Sequence, residues 1–279
     1  MSVASWSQIT FGWRGRTAGQ PLPRCVDIVA PALTASAISR VLALECPIAT
    51  RTPEATAASI TAIRTAAVSG AATKLLANPE VHTLGILGSG VQAETHVAAM
   101  MAVRDFRQVL VWSRTRAHAE ALVERLRPTL PAGVPIAARA HAEEVAQASD
   151  VVCTVTAARE PVLGRLGGGK HVNAVGASVR TARELDTSVV RQARLYVDRR
   201  ESALNEAGDI LIPIEQGAIT ADHIVAELGE VLIGKAPGRQ SEGDLTLFKS
   251  LGLAIEDLAC ARYLVDEARR QGAGTWIEL

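Results

Sequence analysis

The residues best placed to do chemistry begin at Gly88-Ser89-Gly90-Val91-Gln92-Ala93, which follows the apolar run Leu84-Gly85-Ile86-Leu87. A strand that turns through glycines into a helix makes a cradle for a pyrophosphate. Gly88 permits the tight turn. Gly90 omits a Cβ where a phosphate would approach, and Ala93 is small enough for close packing of helix on strand. Val91 and Gln92 stand at the helix start, where free N–H groups and the positive end of the helix dipole face an anion. Such a glycine motif alone is a weak signal, and the strand before it and helix after it are what point to a dinucleotide. The next apolar strand ends at Trp112, 22 positions after Gly90, near the spacing of about 20 that places a ribose-reading residue.

What stands there separates the two nicotinamide dinucleotides. An acid would hold the ribose 2′-hydroxyl and repel a 2′-phosphate. This chain has Ser113-Arg114-Thr115 instead. A guanidinium can pair with the 2′-phosphate and stack on adenine, and two hydroxyls can donate to the same group. The residues therefore favour NADP(H) over NAD(H). The competing reading is a solvated basic turn, since Arg116 is adjacent.

Several elements must position these groups. Ile63, Ala67, Ala71 and Leu75 recur at helical spacing within a helix over 60–76, with Ser59 or Thr61 as its cap and Asn78-Pro79 as its stop. Strands are expected at 83–88, 108–112, 134–138, 150–155, 171–176 and 194–198, and helices at 91–103, 115–127, 141–148 and 184–192. That alternation implies a doubly wound parallel sheet of α/β class, covered on both faces. Beyond residue 200, a helix through Ala203–Asp209 ending at glycine, and further helices over 220–233 and 248–271, are expected. Prolines interrupt residues 1–58, where Val26–Val29 and Ile38–Leu44 read as short strands or a helix.

Composition excludes some partners. Lys plus Arg and Asp plus Glu are each 29, so no net charge argues for nucleic acid or an anionic membrane. No apolar run approaches the roughly 20 residues of a membrane span, and the N-terminus lacks the pattern of a secretory signal. Cys25, Cys46, Cys153 and Cys260 show neither metal-ligand spacing nor a disulfide framework, which suits buried thiols in a cytoplasmic protein.

Seven ordered motifs together resemble the ornithine cyclodeaminase and μ-crystallin family over about 60–264. They are Ile63-Arg64-Thr65-Ala66-Ala67-Val68-Ser69, the glycine turn, Trp112-Ser113-Arg114-Thr115, Asn173-Ala174-Val175-Gly176-Ala177-Ser178, Glu206-Ala207-Gly208-Asp209, Ala226-Glu227-Leu228-Gly229-Glu230 and Phe248-Lys249-Ser250-Leu251-Gly252. The resemblance is nearest to the NADPH-dependent ketimine reductase branch. It implies a Rossmann domain over 76–215 and a smaller substrate and dimerisation domain, built from 1–75 and from helices of 216–279 returning to it. It further implies a homodimer that acts on a small imino or amino acid.

The resemblance assigns roles residue by residue. Arg64 would hold the substrate carboxylate, Asp209 would serve as the acid/base group at the substrate nitrogen, and Ser178 would border the substrate. Thr154, Val155, Thr156, Val175, Lys249 and Ser250 would contact the cofactor, Lys249 and Ser250 from a returning C-terminal helix. The implied reaction is hydride exchange at the C=N bond of a cyclic α-imino carboxylate. Related readings are an ornithine cyclodeaminase, an amino-acid dehydrogenase, or an NADPH-binding protein without catalysis. The chain departs from the family before Arg64. The family carries a longer β-rich segment and an active-site lysine there, whereas the first lysine here is Lys74. No metal site is expected.

Overall fold

The computed structural model describes residues 57–272. The expectations for Val26–Val29 and Ile38–Leu44, and the cysteines Cys25 and Cys46, lie outside the described residues. In chain order the elements are α1 (Ala57–Leu76), β1 (Thr83–Leu87), α2 (Val91–Val103), β2 (Gln108–Trp112), α3 (Arg116–Leu126), β3 (Ile136–Ala138), α4 (Ala142–Ala148), β4 (Val151–Thr154), β5 (His171–Ala174), α5 (Thr187–Gln192), β6 (Arg194–Val197), α6 (Arg200–Glu206), α7 (Gly208–Glu215), β7 (Ile224–Glu227), α8 (Leu228–Leu232), β8 (Thr246–Lys249) and α9 (Ala254–Gln271).

The strands form one sheet in the order β3-β2-β1-β4-β5-β8-β6-β7, and every neighbouring pair is parallel. Alternation along each strand explains how both faces are covered. Leu84 and Ile86 of β1, Val109 and Val111 of β2, and Val151 and Cys153 of β4 share a core with Ala93, Val97 and Met100 of α2 and Leu122 of α3. Their neighbours Leu87, Leu110 and Val152, with Val172 and Leu247, pack on the other face against Val145 of α4, Val189 of α5, Ala203 of α6 and Ile210 of α7. Ile63, Val68 and Leu76 of α1 join Tyr196, Phe248 and Cys260 of α9 in a third cluster. Each fully buried side chain of this size contributes about 2 kcal/mol through area removed from water.

Polar side chains register α1 and α2 on the sheet. Asn173 Nδ2 donates to Thr73 Oγ1 at 2.9 Å, and Thr73 Oγ1 in turn donates to Met100 Sδ. His171 pairs through Nδ1 with Thr246 Oγ1 and through Nε2 with Asn173 Oδ1. His96 of α2 pairs with Ser69 of α1 and with its own helix at the Gln92 carbonyl. Burial of a charged imidazole lowers the pKa of His96 to about 4 and of His171 to about 3.

The structure corrects four expectations. Ser59 and Thr61 lie inside α1 rather than capping it. Gly208 opens α7 instead of closing the preceding helix, which stops at Glu206. Residues expected as a helix over 220–233 contain strand β7 before the short α8. The helix expected from 248 starts at Ala254, because Thr246–Lys249 is strand β8, inserted between β5 and β6.

Both buried imidazoles are neutral in the fold and bind protons in the unfolded chain near 6.5. Their share of stability is complete above pH 6.5 and is lost as the pH falls towards 4, on the order of 3 kcal/mol for each ring. Histidine side-chain NMR is expected to show two rings that stay neutral down to about pH 4. Titration of either His96 or His171 near 6.5 in the folded protein contradicts this account.

Candidate active site

β1 pairs with β2 on one side and β4 on the other. The connections from these strands leave in opposite directions, so their carboxyl ends part and open a crevice. A cavity of about 350 Å³ lies there, lined by Gly88, Ser89, Gly90, Ser113, Arg114, Thr115, Val155 and Thr156, with Trp112, His118, Ala157, Ala158 and Val162.

The glycine turn differs at its two glycines. Gly88 has φ +133°, and a Cβ there would stand 2.6 Å from the Val155 carbonyl oxygen, so only glycine fits. Gly90 has an ordinary extended backbone, φ −84° and ψ −171°, and a Cβ on it would meet nothing within 4 Å. Nothing within the described residues requires glycine there, and the omitted side chain leaves room for an external group at the first turn of α2. Val91 beside it is 68% exposed, an apolar surface that a bound molecule would cover. These features fit a dinucleotide pyrophosphate. Ser89 and Ser113 share a hydrogen bond of 2.9 Å between their hydroxyls, joining the turn to the end of β2. Arg114 is exposed at the crevice wall and forms no ion pair among the described residues, whereas its neighbour Arg116 is held by Glu120 at 2.8 Å.

A buried acidic network lies behind the crevice. Glu184 is fully buried and accepts four hydrogen bonds. Thr154 Oγ1 and the Gly176 N–H donate to Oε2, and the Thr156 N–H and Oγ1 donate to Oε1, at 2.7–2.8 Å. Burial raises its carboxyl pKa, while Lys249 lowers it and Asp209 raises it further. Glu184 N–H and Leu185 N–H donate to Asp209 Oδ1 at 2.8 and 3.0 Å. Asp209 Oδ2 meets Lys249 Nζ at 3.0 Å, with each side chain only 1% exposed.

Arg64 sits beside the next loop. Its Nε donates to Asp257 Oδ1 at 2.9 Å and its Nη1 to Glu256 Oε2 at 3.2 Å, both from α9. The guanidinium lies against Gly252, which has φ +90° and where any Cβ would collide with it. Asp198 fixes that loop by accepting the Leu251 and Gly252 N–H groups. Burial, with Asp198 nearby, raises the Glu256 pKa to about 7 despite Arg64.

The structure thus brings Gly88, Gly90, Ser113, Arg114, Thr115, Val155 and Thr156 to one crevice, with Asp209 and Thr154 one layer behind. Thr154 is buried and its hydroxyl is committed to Glu184. Val175 follows β5 and donates its N–H to the Thr154 carbonyl, Ser178 is exposed in the following loop, and Gln92 is half-buried in the first turn of α2. Lys249 and Ser250 stand at the end of β8 rather than on a helix. Ser250 is 2% exposed and donates its N–H to Ala174. Sequence reasoning missed Glu184, whose partners are 8 to 30 positions away along the chain. Among the described residues, no group of His, Cys, Asp and Glu could hold a metal ion.

Comparison with known proteins bears on this geometry. The model of the ornithine cyclodeaminase/mu-crystallin family matches residues 49–272. A Delta(1)-pyrroline-2-carboxylate reductase of Bacillus cereus is 38% identical over 221 residues, covering 78% of this chain and 67% of that protein. The ketimine reductase mu-crystallin of Mus musculus is 46% identical over 209 residues, covering 74% and 62%. The solved structure of the Thermococcus litoralis Delta(1)-pyrroline-2-carboxylate reductase, in complex with NADH and L-proline, matches with a TM-score of 0.75 at 42% identity, covering 78% of this chain and 68% of that one. An archaeal alanine dehydrogenase dimer with bound NAD matches with a TM-score of 0.73 at 31% identity, covering 78% and 67%. The matches thus span about two thirds of the length of these relatives.

The two glycines are expected to separate folding from binding. Gly88→Ala should destabilise the protein by several kcal/mol, since it forces both a positive φ and a clash. Gly90→Ala should leave the thermal midpoint within a few degrees yet weaken dinucleotide binding at least about 10-fold. Differential scanning calorimetry with fluorescence titration of the cofactor checks both. Unchanged binding in Gly90→Ala would remove the pyrophosphate from this turn.

Proposed function

The chain belongs to the ornithine cyclodeaminase/mu-crystallin family, and on that premise we propose that it reduces the C=N bond of a cyclic α-imino carboxylate with NADPH. The observation that carries this reading is the buried Asp209–Lys249 pair, linked through Glu184 to Thr156 at the crevice wall. When bound, a reduced nicotinamide supplies the hydride.

The chain's own residues supply the rest. The substrate carries a carboxylate and a nitrogen that becomes more basic as the C=N bond is reduced. Arg64 Nη2 has no partner among the described residues, so the guanidinium keeps donors for the substrate carboxylate while α9 holds its other edge. A clamp of that kind orients C=N for attack. Asp209 Oδ1 is fully used by two backbone N–H groups, which leaves Oδ2 to stabilise a protonated substrate nitrogen or exchange a proton with it. Ser178, exposed after β5, is assigned to the substrate by the family resemblance alone. Burial of Thr154, Asp209, Lys249 and Ser250 keeps water from these charges.

NADPH rather than NADH is supported by Arg114, which forms no ion pair among the described residues, and by Ser113 and Thr115 where an acid would otherwise stand. The reading also takes a homodimer, as the archaeal alanine dehydrogenase is a dimer, and a cytoplasmic location, which the buried Cys153 thiol suits. No helix among the described residues is long and apolar enough to cross a membrane.

Purified protein given Δ1-pyrroline-2-carboxylate or Δ1-piperideine-2-carboxylate is expected to oxidise NADPH faster than NADH, followed by absorbance at the nicotinamide band. Arg114→Ala should cut the NADPH-over-NADH ratio of kcat/KM by roughly 10- to 100-fold, the effect of one charge-assisted contact. Asp209→Asn should lower kcat about 100-fold or more with a smaller effect on KM. Folded protein that binds NADPH and never oxidises it with either imine would sink the proposal.

A further inference from the structure

Lys249 ends a strand in the interior of the sheet, opposite Ala174 of β5 and Val197 of β6. Neither neighbour's side chain offers a polar atom, and the ammonium is buried. A charge in such a place is strongly unfavourable unless paired, and an apolar side chain of similar length would serve packing better. The fold alone gives no reason for a lysine here.

Its surroundings do. Three buried carboxylates face the ammonium: Asp209 from α7, Glu184 from the segment before α5, and Asp198 from the end of β6. Two of them have hydrogen bonds at both oxygens. Glu184 holds Thr154, Thr156 and Gly176, and Asp198 holds the N–H groups of Arg199, Leu251 and Gly252. Only Asp209 keeps an open oxygen, Oδ2, at 3.0 Å from Nζ. Neither atom of that ion pair has a hydrogen-bond partner among the described residues, so the contact is short but lies off the hydrogen-bond direction. Lone pairs of Oδ2 and protons of Nζ therefore remain available.

We propose that Lys249 is a positioning residue for the imine chemistry: its ammonium, 3.0 Å from Oδ2, holds the Asp209 carboxylate ionised and oriented for its work at the substrate nitrogen. The proposal rests on the reading of Asp209 as the acid/base group. It gives a buried cation of β8 the task of keeping a carboxylate charged where water is excluded.

The test compares Lys249→Met, Lys249→Arg, Asp209→Asn and the double variant Lys249→Met/Asp209→Asn in the full chain. In Lys249→Met, kcat for imine reduction should fall about 100-fold, while the dissociation constant for NADPH changes less than about threefold. The limb of the kcat–pH profile that Asp209→Asn abolishes should move to higher pH in Lys249→Met, because the carboxylate has lost its cation. Lys249→Arg should bring that limb back. Lys249→Met should also lose more thermal stability than the double variant, since the single change strands a buried carboxylate. An unmoved pH limb, or a double variant no more stable than Lys249→Met, overturns the proposal. If the wild-type protein reduces no cyclic imine, the functional reading fails separately, and the stability comparison still decides whether Lys249 holds Asp209 ionised.

Discussion

The Glu184 carboxylate is the interaction on which the rest of the site depends. It is an acid with no access to water, and it is tolerable there because four donors converge on it. Those donors come from the ends of β4 and β5, two strands that would otherwise carry independent loops. One side chain thus fixes the back wall of the crevice, and its own N–H fixes Asp209. Removing it would leave Thr154, Thr156 and Gly176 with stranded donors, so the geometry of the dinucleotide wall and of the acid/base group stand or fall together.

The opposite face of the sheet uses a different kind of constraint. Thr73, Asn173, His171 and Thr246 form a neutral chain of hydrogen bonds between α1 and the central strands. Thr246 Oγ1 also reaches the Leu76 carbonyl at the end of α1, and Arg239 reaches both. A helix rich in alanine has little shape of its own to specify its register, and these polar contacts supply it. Arg64 is delivered to the Gly252 loop because α1 cannot slide.

Much of this was legible in the chain. The run from β1 through α2 to β2 declares itself by apolar strands, glycines at set places and a basic end, all within about 30 residues. β4 is a short apolar run, whereas β5 and β6 interleave His171, Asn173 and Arg194 with apolar residues and declare themselves by the turns that bound them. β7 and β8 were not legible. Ile224–Glu227 and Thr246–Lys249 are four-residue strands, and Leu228-Gly229-Glu230 after the first continues a plausible helical pattern. Short buried segments carry no periodicity that separates strand from helix. Gly208 misled for a related reason, since glycine after a helix reads as a stop. The pairing of Asp209 with Lys249, and the convergence on Glu184, depend on contacts between distant segments that no local spacing encodes.

The position of β8 has a consequence for how the chain is made. β8 is the last strand in sequence among the described residues, yet it lies between β5 and β6 and pairs with both. Until Thr246–Lys249 has left the ribosome, β5 presents an open edge, and β6 with β7 forms a two-stranded fragment attached to nothing. Exposed parallel edges of this kind invite pairing with other chains. Joining them requires closing a loop of some 70 residues between β5 and β8, a slow, non-local event. The nascent protein therefore carries its greatest risk of aggregation late in synthesis. A nonsense mutation shortly before Thr246 would yield most of the chain and two unprotected half-sheets.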